Sequence, residues 1–216
     1  MVFYQEIVIS DSFRRLFQRQ RYEECVYTII RNSTEVFKDR RFERVMVQAN
    51  GQCDFVDEEG NKYDVKVLFN SKQGALIGER KNEIIEWVET MTEERAQFCD
   101  CIRNRDMSLV KNTELYKITK ARLLTVEYDE NAIFFIPFPI VIDSRNWFFS
   151  RFASDFLQAI YEQLDEEKLI KDRELYYIYP SIEQDYYVLR NGSNGRREYL
   201  EVPELRNVIQ FRTADK

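Results

Sequence analysis

The sequence predicts an α+β fold, in which helices pack on a mixed sheet. Three observations predict it. A segment with apolar positions at helical spacing is followed by three short segments of alternating apolar residues. Another helical region and a β-rich region come next, and a long amphipathic helix and a hairpin complete the pattern. We therefore expect an αβββαβ core over residues 1–142 and a helix-and-hairpin extension over residues 143–216, packed together as one domain.

The composition is that of a globular protein. The chain has 216 residues, of which 44% are hydrophobic and 32% charged, and this length suffices to bury a core. The longest apolar run, Ile133 to Ile142, is too short for a membrane-spanning helix and contains two prolines. Glu6 and Asp11 interrupt the pattern that a signal peptide would need at the start. We therefore expect a cytoplasmic protein with no membrane partner.

Several reaction classes are excluded by residues that the chain lacks. It contains no histidine, so no mechanism can depend on an imidazole base or ligand. Its six glycines form no phosphate-binding loop. The four cysteines make neither a disulfide framework nor a four-ligand zinc site. Any hydrolysis must therefore use carboxylates, lysine or tyrosine together with a hard cation such as Mg²⁺.

The first helix is predicted over Ser10 to Ile30, where apolar residues recur on one broad face. Ser10 or Asp11 is suited to cap its start. Glu23 lies on the apolar face rather than opposite it, and this position either marks a functional carboxylate or pairs Glu23 with Arg19, four residues earlier.

Three strands are predicted to follow as a meander. They cover Phe42 to Gln48, Cys53 to Asp57, and Tyr63 to Phe69. Turns are expected at Asn50-Gly51 and at Glu59-Gly60-Asn61. Because side chains alternate along a strand, Asp64 and Lys66 share one face of the third strand.

The rest of the chain continues with both kinds of element. Helices are predicted over Gln73 to Thr90, over Glu93 to Arg103 and from Ser144 onward, and strands over Ala121 to Tyr128, Asn131 to Val141, Tyr186 to Arg190 and Glu198 to Val202. Phe148, Phe152 and Phe156 recur every four residues, which predicts a buried helix face.

The ordered residues of the first two thirds carry a resemblance to a known family. They are Tyr22-Glu23 with the apolar positions after it, Asp54-Phe55, Asp64-Val65-Lys66 and, more weakly, Gln73. Over Ser10 to Val141 the chain resembles the PD-(D/E)XK nuclease superfamily, which has the restriction-endonuclease-like fold. Cys53 stands where the family's proline would be, and Asp64 replaces the commoner glutamate.

The resemblance implies a metal-dependent endonuclease or exonuclease that hydrolyses phosphodiester bonds, with DNA as the expected substrate. Its Mg²⁺ or Mn²⁺ ligands would be Asp54, Asp64, Glu23 and the carbonyl oxygen of Val65, with Glu24 as the alternative to Glu23. Lys66 would orient the attacking water or neutralise charge. Such a site has a physical reason, because a cation held by carboxylates offsets the negative charge that develops during cleavage.

The charge distribution bears on nucleic-acid binding. The net charge is −6, so attraction of phosphates over the whole surface is not expected. Residues 11–44 are locally basic, with nine basic against six acidic residues. The candidate nucleic-acid contacts are Arg14, Arg15, Arg40, Arg41, Arg196 and Arg197. Alternatively, the same arginines are solvated surface residues that bind no ligand.

Other interpretations stay open at this stage. The protein could be a noncatalytic interaction protein, such as an assembly subunit or an inhibitor, on a nuclease-like or unrelated α+β fold. It could also be a nuclease whose protein partner supplies nucleic-acid binding, and nucleases of this fold often act as homodimers. The acidic turn Asp57-Glu58-Glu59 is expected to be a solvated loop. Five tyrosines, Tyr176, Tyr177, Tyr179, Tyr186 and Tyr187, indicate either sheet packing or a contact surface.

Overall fold

A computed structural model describes residues 7–9, 22–45, 53–69, 96–101, 103–104, 106–137, 147–181, 185–192, 195–206 and 211–213. The strands are β1 (Ile7–Ile9), β2 (Phe42–Arg44), β3 (Phe55–Asp57), β4 (Lys62–Val67), β5 (Glu130–Phe135), β6 (Leu175–Pro180), β7 (Tyr186–Asn191), β8 (Arg196–Leu200) and β9 (Phe211–Thr213). The α-helices are α1 (Tyr22–Asn32), α2 (Glu114–Leu123) and α3 (Trp147–Glu166). Short 3₁₀ helices cover Met107–Asn112 and Pro203–Leu205, and residues 96–101 and 103–104 are also helical.

Seven strands form one mixed sheet in the order β2-β3-β4-β5-β6-β7-β8. Strands β2, β3 and β4 are antiparallel, β4, β5 and β6 are parallel, and β6, β7 and β8 are again antiparallel. Strands β1 and β9 form a separate antiparallel pair. The predicted α+β class is therefore confirmed, and three strands from the C-terminal third extend the same sheet as the first meander.

The sheet has a hydrophobic core on each face. On one face, Val26 and Ile29 of α1 belong to the same buried cluster as Val65 and Val67 of β4. On the other face, α3 contributes to a cluster that includes Phe134 of β5. Successive residues of a strand point to opposite faces, which is why neighbouring residues of β5 and β6 divide between the two cores. The sheet is thus covered by α1 on one face and by α3 on the other.

Most predicted elements that fall on described residues are present, with shifted ends. Helix α1 covers the second half of the first predicted helix and continues to Asn32. The meander strands are shorter than predicted, and the C-terminal hairpin is present as β7 and β8. Residues 10–21, 46–52 and 70–95 lie outside the described residues, so the helix predicted over Gln73 to Thr90 and the turn at Asn50-Gly51 are not described.

The strand predicted over Ala121 to Tyr128 is wrong. Helix α2 runs through this region to Leu123 and a turn follows. The helix starts at Thr113, whose hydroxyl oxygen accepts a hydrogen bond from the backbone N–H of Tyr116, as a helix cap does. Apolar Leu123 and Val126 are buried three residues apart, which is the spacing of a helix and its terminal turn rather than of a strand.

Strand β6 was missed by the sequence analysis. All six of its residues are buried, because β6 lies in the interior of the sheet with a core on each face. A strand buried on both faces shows no alternation of polar and apolar residues. Three of the five tyrosines, Tyr176, Tyr177 and Tyr179, belong to β6, and all five are at most 9% exposed. Sheet packing is therefore their role, and the contact-surface interpretation is wrong.

The predicted buried face of helix α3 is confirmed for the residues whose side chains the structure describes. Phe152 and Phe156 are buried, and the ring of each contacts Phe98 at centroid distances of 4.9 and 4.6 Å. The side chain of Phe148 lies outside the described set. No helix among the described residues is both long and apolar enough to cross a membrane.

A buried carboxylate ties the loop after α1 to the far edge of the sheet. Glu198 of β8 accepts hydrogen bonds from the backbone N–H groups of Thr34 (2.7 Å) and Val36 (3.1 Å), and its other contacts include the hydroxyl of Ser33. Burial raises the pKa of Glu198, but the hydrogen bonds from Ser33, Thr34 and Val36 outweigh it and hold this pKa below its ordinary value. The charged carboxylate therefore stabilises the position of α1.

We expect Glu198→Ala to lower the free energy of unfolding by on the order of 3 kcal/mol, because the hydroxyl of buried Ser33 and the backbone N–H groups of Thr34 and Val36 lose their acceptor. Glu198→Gln should cost less, since the amide keeps one acceptor oxygen. Urea denaturation at neutral pH measures both, and Glu204→Gln, at an exposed glutamate, is the control.

The contribution of Glu198 should also depend on pH. Its pKa is depressed in the folded state, so its stabilisation is present above the ordinary value of 4.5 and is lost as the pH falls through the folded-state pKa. The difference in unfolding free energy between wild type and Glu198→Gln should therefore shrink in acid. A difference that is the same on both sides of pH 4.5 would contradict this role.

Candidate functional site

Four predicted site residues come from three separate segments. Glu23 lies in the first turn of α1, Asp54 directly precedes β3, and Asp64 and Lys66 lie on β4. Helix α1 packs on the face of β4 that carries Val65, so the three segments meet around the middle of one strand.

Asp54 is held against β4 by two hydrogen bonds. Its backbone N–H donates to the carbonyl of Tyr63 at 2.9 Å, and its Oδ2 accepts from the backbone N–H of Val65 at 2.7 Å. The residue pairing of β3 with β4 reaches Phe55 opposite Tyr63, so Asp54 lies just beyond the ladder. Its carboxylate therefore takes the place of a strand carbonyl as the acceptor for Val65.

The carboxyl groups of Asp54 and Asp64 are direct neighbours. Burial raises the pKa of Asp54, the hydrogen bond from Val65 lowers it, and the negative charges of Glu23 and Asp64 raise it further. A side-chain hydrogen bond with Asp64 adds to the rise, and together these effects raise the pKa of Asp54 to about 7. Asp54 therefore keeps its proton more readily than an exposed aspartate does near neutral pH.

Glu23 belongs to the same electrostatic cluster. Burial raises the pKa of this half-buried carboxyl, Arg44 opposes the rise, and the charge of Asp64 adds to it. Since Glu23 also raises the pKa of Asp54, its charge reaches both aspartates. Glu24, the alternative, acts on Glu23 itself. Arg19, with which Glu23 could pair, lies outside the described residues.

Lys66 contacts the cluster through Asp64. The Nζ atom of Lys66 lies 2.5 Å from Oδ2 of Asp64, and the two side chains are 24% and 14% exposed. They meet because residues two apart on a strand share a face. The ammonium therefore lies beside the carboxyl pair and is only partly hydrated.

The carboxyl cluster suits a hard divalent cation in its chemistry, although its arrangement is closed. Oxygen donors are what Mg²⁺ and Mn²⁺ prefer, and a cation would relieve the repulsion that raises the pKa of Asp54. Within the part of the chain that the structure describes, however, no three Cys, Asp or Glu side chains form a ready-made metal-holding group. The direct contact of Asp54 with Asp64 would have to open to admit a cation. The carbonyl of Val65 stays a predicted ligand.

Two further residues border the cluster, and the sequence analysis did not assign them. Tyr22 is half-buried, and burial together with the charges of Glu23 and Asp54 raises the pKa of its phenol, while Arg122 opposes the rise. Arg122 was placed on a predicted strand that is in fact the end of α2, so its approach to Tyr22 could not be anticipated. Tyr22 could have been found, because it directly precedes Glu23.

The predicted nucleic-acid contacts have different outcomes. Arg40 contacts Glu174 at 2.8 Å and the hydroxyl of Tyr176 at 2.9 Å, so its charge is already compensated inside the fold, which does not favour a nucleic-acid contact. Arg41 and Arg196 are exposed, and Arg197 donates to the hydroxyl of Ser154 at 3.1 Å. Arg14, Arg15 and Gln73 lie outside the described residues.

The acidic turn before β4 has a structural role. Asp57 is buried and accepts hydrogen bonds from the backbone N–H groups of Glu59 (3.1 Å) and Asn61 (2.8 Å) and from the hydroxyl of Tyr63 (2.9 Å). Gly60 adopts a φ of 83°, which a side chain would disfavour. A polar cavity of about 240 Å³ beside this turn is lined by side chains of both charges.

Comparison of the chain with family models, with curated proteins and with solved structures gave no match. The functional argument therefore depends on the chemistry of the carboxyl cluster.

The raised pKa of Asp54 can be tested without any metal. Asp64→Asn should lower the pKa of Asp54 from about 7 toward its ordinary value of 3.8, because it removes a neighbouring negative charge and supplies a hydrogen-bond donor. Carbon-detected NMR titration of the carboxyl groups in EDTA measures this shift. Asp129→Asn, which changes an exposed aspartate paired with Lys62, is the control and should leave the pKa of Asp54 unchanged. An unchanged titration in Asp64→Asn would show that the two carboxyl groups do not interact.

Proposed function

We propose that the protein is a metal-dependent nuclease that hydrolyses phosphodiester bonds, with DNA as its main substrate. The observation that carries the proposal is the approach of Glu23, Asp54 and Asp64 from three segments, with the ammonium of Lys66 beside them. The element order from α1 to β5, and the parallel pairing of β4 with β5, support a restriction-endonuclease-like core.

Asp54, Asp64 and Glu23 are the residues that would hold the cation, with the carbonyl of Val65 as a further oxygen donor. When bound, Mg²⁺ or Mn²⁺ supplies charge stabilisation for the phosphoryl oxygens and makes a water molecule more acidic. The chain's own groups provide the rest of the chemistry. Val65 orients the carboxylate of Asp54 through its N–H, and this carboxylate must lose its proton before it can act as a ligand.

Lys66 is proposed to orient the attacking water and to neutralise negative charge on the phosphate. Its position is fixed at both ends, because β4 holds its backbone within the sheet and Asp64 holds its ammonium at 2.5 Å. A lysine in this position offers a compact charge with three donors. Partial burial strengthens its interaction with a phosphate, since fewer water molecules screen the charge.

The second candidate is a noncatalytic interaction protein, such as an assembly subunit or an inhibitor of another machine. The observation that favours it is that no ready-made metal-holding group occurs among the described residues, since Asp54, Asp64 and Lys66 contact one another. The net charge of −6 also favours a protein partner over a phosphate backbone. A nuclease subunit whose partner binds the nucleic acid would combine both features.

Cleavage is the direct test. Purified protein with Mg²⁺ or Mn²⁺ should cut at least one substrate in a panel of single-stranded, double-stranded and branched DNA and RNA. Asp64→Ala and Lys66→Ala should each reduce the rate by roughly 100-fold or more, because the first removes a proposed metal ligand and the second removes a positive charge beside the phosphate. Lys117→Ala, at an exposed lysine of α2 that pairs with Glu114, is the control and should keep full activity. Equal behaviour of wild type and both site variants across the panel would contradict the nuclease assignment.

Metal binding should be linked to pH. Because the pKa of Asp54 is about 7 and a ligand must be deprotonated, the affinity for Mn²⁺ should rise as the pH increases through neutrality, and protons should be released on binding. Isothermal titration calorimetry in buffers of different ionisation enthalpy measures both quantities. Asp54→Ala should abolish binding. If wild type and Asp54→Ala give the same isotherm, and the protein captures a protein partner stoichiometrically without metal, the noncatalytic candidate is preferred.

A further inference from the structure

The turn that follows α2 exposes two large apolar side chains. Leu124 is 63% exposed and Tyr128 is 64% exposed. Among the described residues the next most exposed large apolar side chain is Tyr199 at 46%, and the hydroxyl of Tyr199 donates to Asp185. Leu124 and Tyr128 are only four residues apart, so they form a local apolar surface, and such a surface commonly serves binding.

One cation contacts Tyr128, and a second, Arg122, precedes Leu124 by two residues in the chain. The Nζ atom of Lys171 lies 3.8 Å from the ring centroid of Tyr128, a cation–π contact. Lys171 has a φ of 59°, a backbone conformation that a lysine rarely adopts. Arg122, in the last turn of α2, is exposed. We call Arg122, Leu124, Tyr128 and Lys171 the Tyr128 surface.

Arg122 differs from the other cations of α2. Lys117 pairs with Glu114 at 2.7 Å, and Lys120 pairs with Glu167 at 2.5 Å. No carboxylate in the described part of the chain forms an ion pair with Arg122. Its charge is therefore available to an anionic ligand, whereas those of Lys117 and Lys120 are already compensated.

The Tyr128 surface adjoins the carboxyl cluster. Asp129, next to Tyr128, pairs at 2.6 Å with Lys62 of β4, and Asp64 lies two residues further along the same strand. On the other side, Arg122 is within electrostatic range of the phenol of Tyr22, on which Glu23 and Asp54 also act. A ligand bound across Arg122 would thus approach the carboxylates.

We propose that the Tyr128 surface binds an unpaired strand of nucleic acid, with a base stacked on the face of the Tyr128 ring opposite Lys171 and phosphates contacted by Arg122 and Lys171. This proposal rests on the proposed nuclease function and specifies its substrate as one with a single-stranded segment. An aromatic ring flanked by cations is the composition of single-strand binding surfaces. Bases in a duplex hide their faces in the stack, so only an unpaired base can cover the exposed ring.

The local charge is consistent with such a ligand despite the acidic chain. Asp129 is paired with Lys62, so its charge is compensated. Glu127 on the same turn and Asp172 next to Lys171 are exposed, and both oppose phosphate binding. The charge reversal Glu127→Lys is therefore an informative variant. It should strengthen binding to a polyanion, and the exposed Glu127 side chain makes no core contact that the change would remove.

Binding can be measured apart from cleavage. Fluorescence anisotropy of a labelled oligothymidylate and of a blunt hairpin duplex, with the full chain in EDTA, separates the two substrates. We expect the single strand to bind more tightly. Tyr128→Ala should weaken its binding about 10-fold, while Tyr128→Phe, which keeps the ring, should bind like wild type. Arg122→Gln should weaken binding and reduce the slope of log affinity against log salt by about 0.7, and Glu127→Lys should tighten binding.

Three results would overturn the proposal: no detectable binding of the single strand, tighter binding of the duplex, or a Tyr128→Ala variant that binds as wild type does. Tyr199→Ala, at an exposed tyrosine elsewhere, is the control for loss of an aromatic ring, and circular dichroism confirms that each variant is folded. Failure of this proposal is distinguishable from failure of the nuclease function. If cleavage depends on Asp64 but binding does not depend on Tyr128 or Arg122, the nuclease function is supported and the Tyr128 surface is rejected. If the single strand binds through Tyr128 but is not cut, the Tyr128 surface is supported and the nuclease function is rejected.

Discussion

The alternation of side chains along β4 is the constraint on which the rest of the structure depends. Val65 and Val67 enter the core beneath α1, while Asp64 and Lys66 point to the opposite face of the same strand. A shift of one residue in register would exchange the two sets and bury the charges. The parallel pairing with β5 and the antiparallel pairing with β3 hold this register from both sides. The hydrophobic core therefore fixes the geometry of the carboxyl cluster.

The cluster concentrates like charge at a cost in stability, and the chain limits this cost locally. The raised pKa of Asp54 lessens its negative charge, Lys66 pairs with Asp64, and the backbone N–H of Val65 donates to Asp54. Each of these interactions replaces part of the hydration that a carboxylate loses when it is buried. The same interactions define what a cation would have to replace. The carboxylates are thus chemically suited to bind a metal, and without one they already interact with Lys66 and Val65. Both candidate functions are therefore argued from the same residues.

The sequence predicted those parts of the fold in which one face is buried and the other is not. The α1 periodicity and the Asp64-x-Lys66 alternation are of this kind, and they gave both the α+β class and the candidate residues. Strand β6 could not be found because two cores bury it completely. The end of α2 was misassigned because Thr125, Val126 and Tyr128 are residues that favour strands, whereas the cap at Thr113 determines the helix. The contacts of Glu198 with residues 33–36 span more than 160 positions, and a local pattern carries no information about them.

The position of Glu198 has a consequence for dissection of the chain. All of the candidate ligands precede β5, so a fragment that stops there would contain the complete proposed chemistry. It would nevertheless lack β6 to β8, which form the surface beneath α1 together with β4 and β5, and it would lack the acceptor for the backbone of Thr34 and Val36. The helix that carries Glu23 would then lose part of the core against which it packs. The segment that carries the candidate ligands and the C-terminal hairpin therefore depend on each other for their packing, even though they lie far apart along the chain.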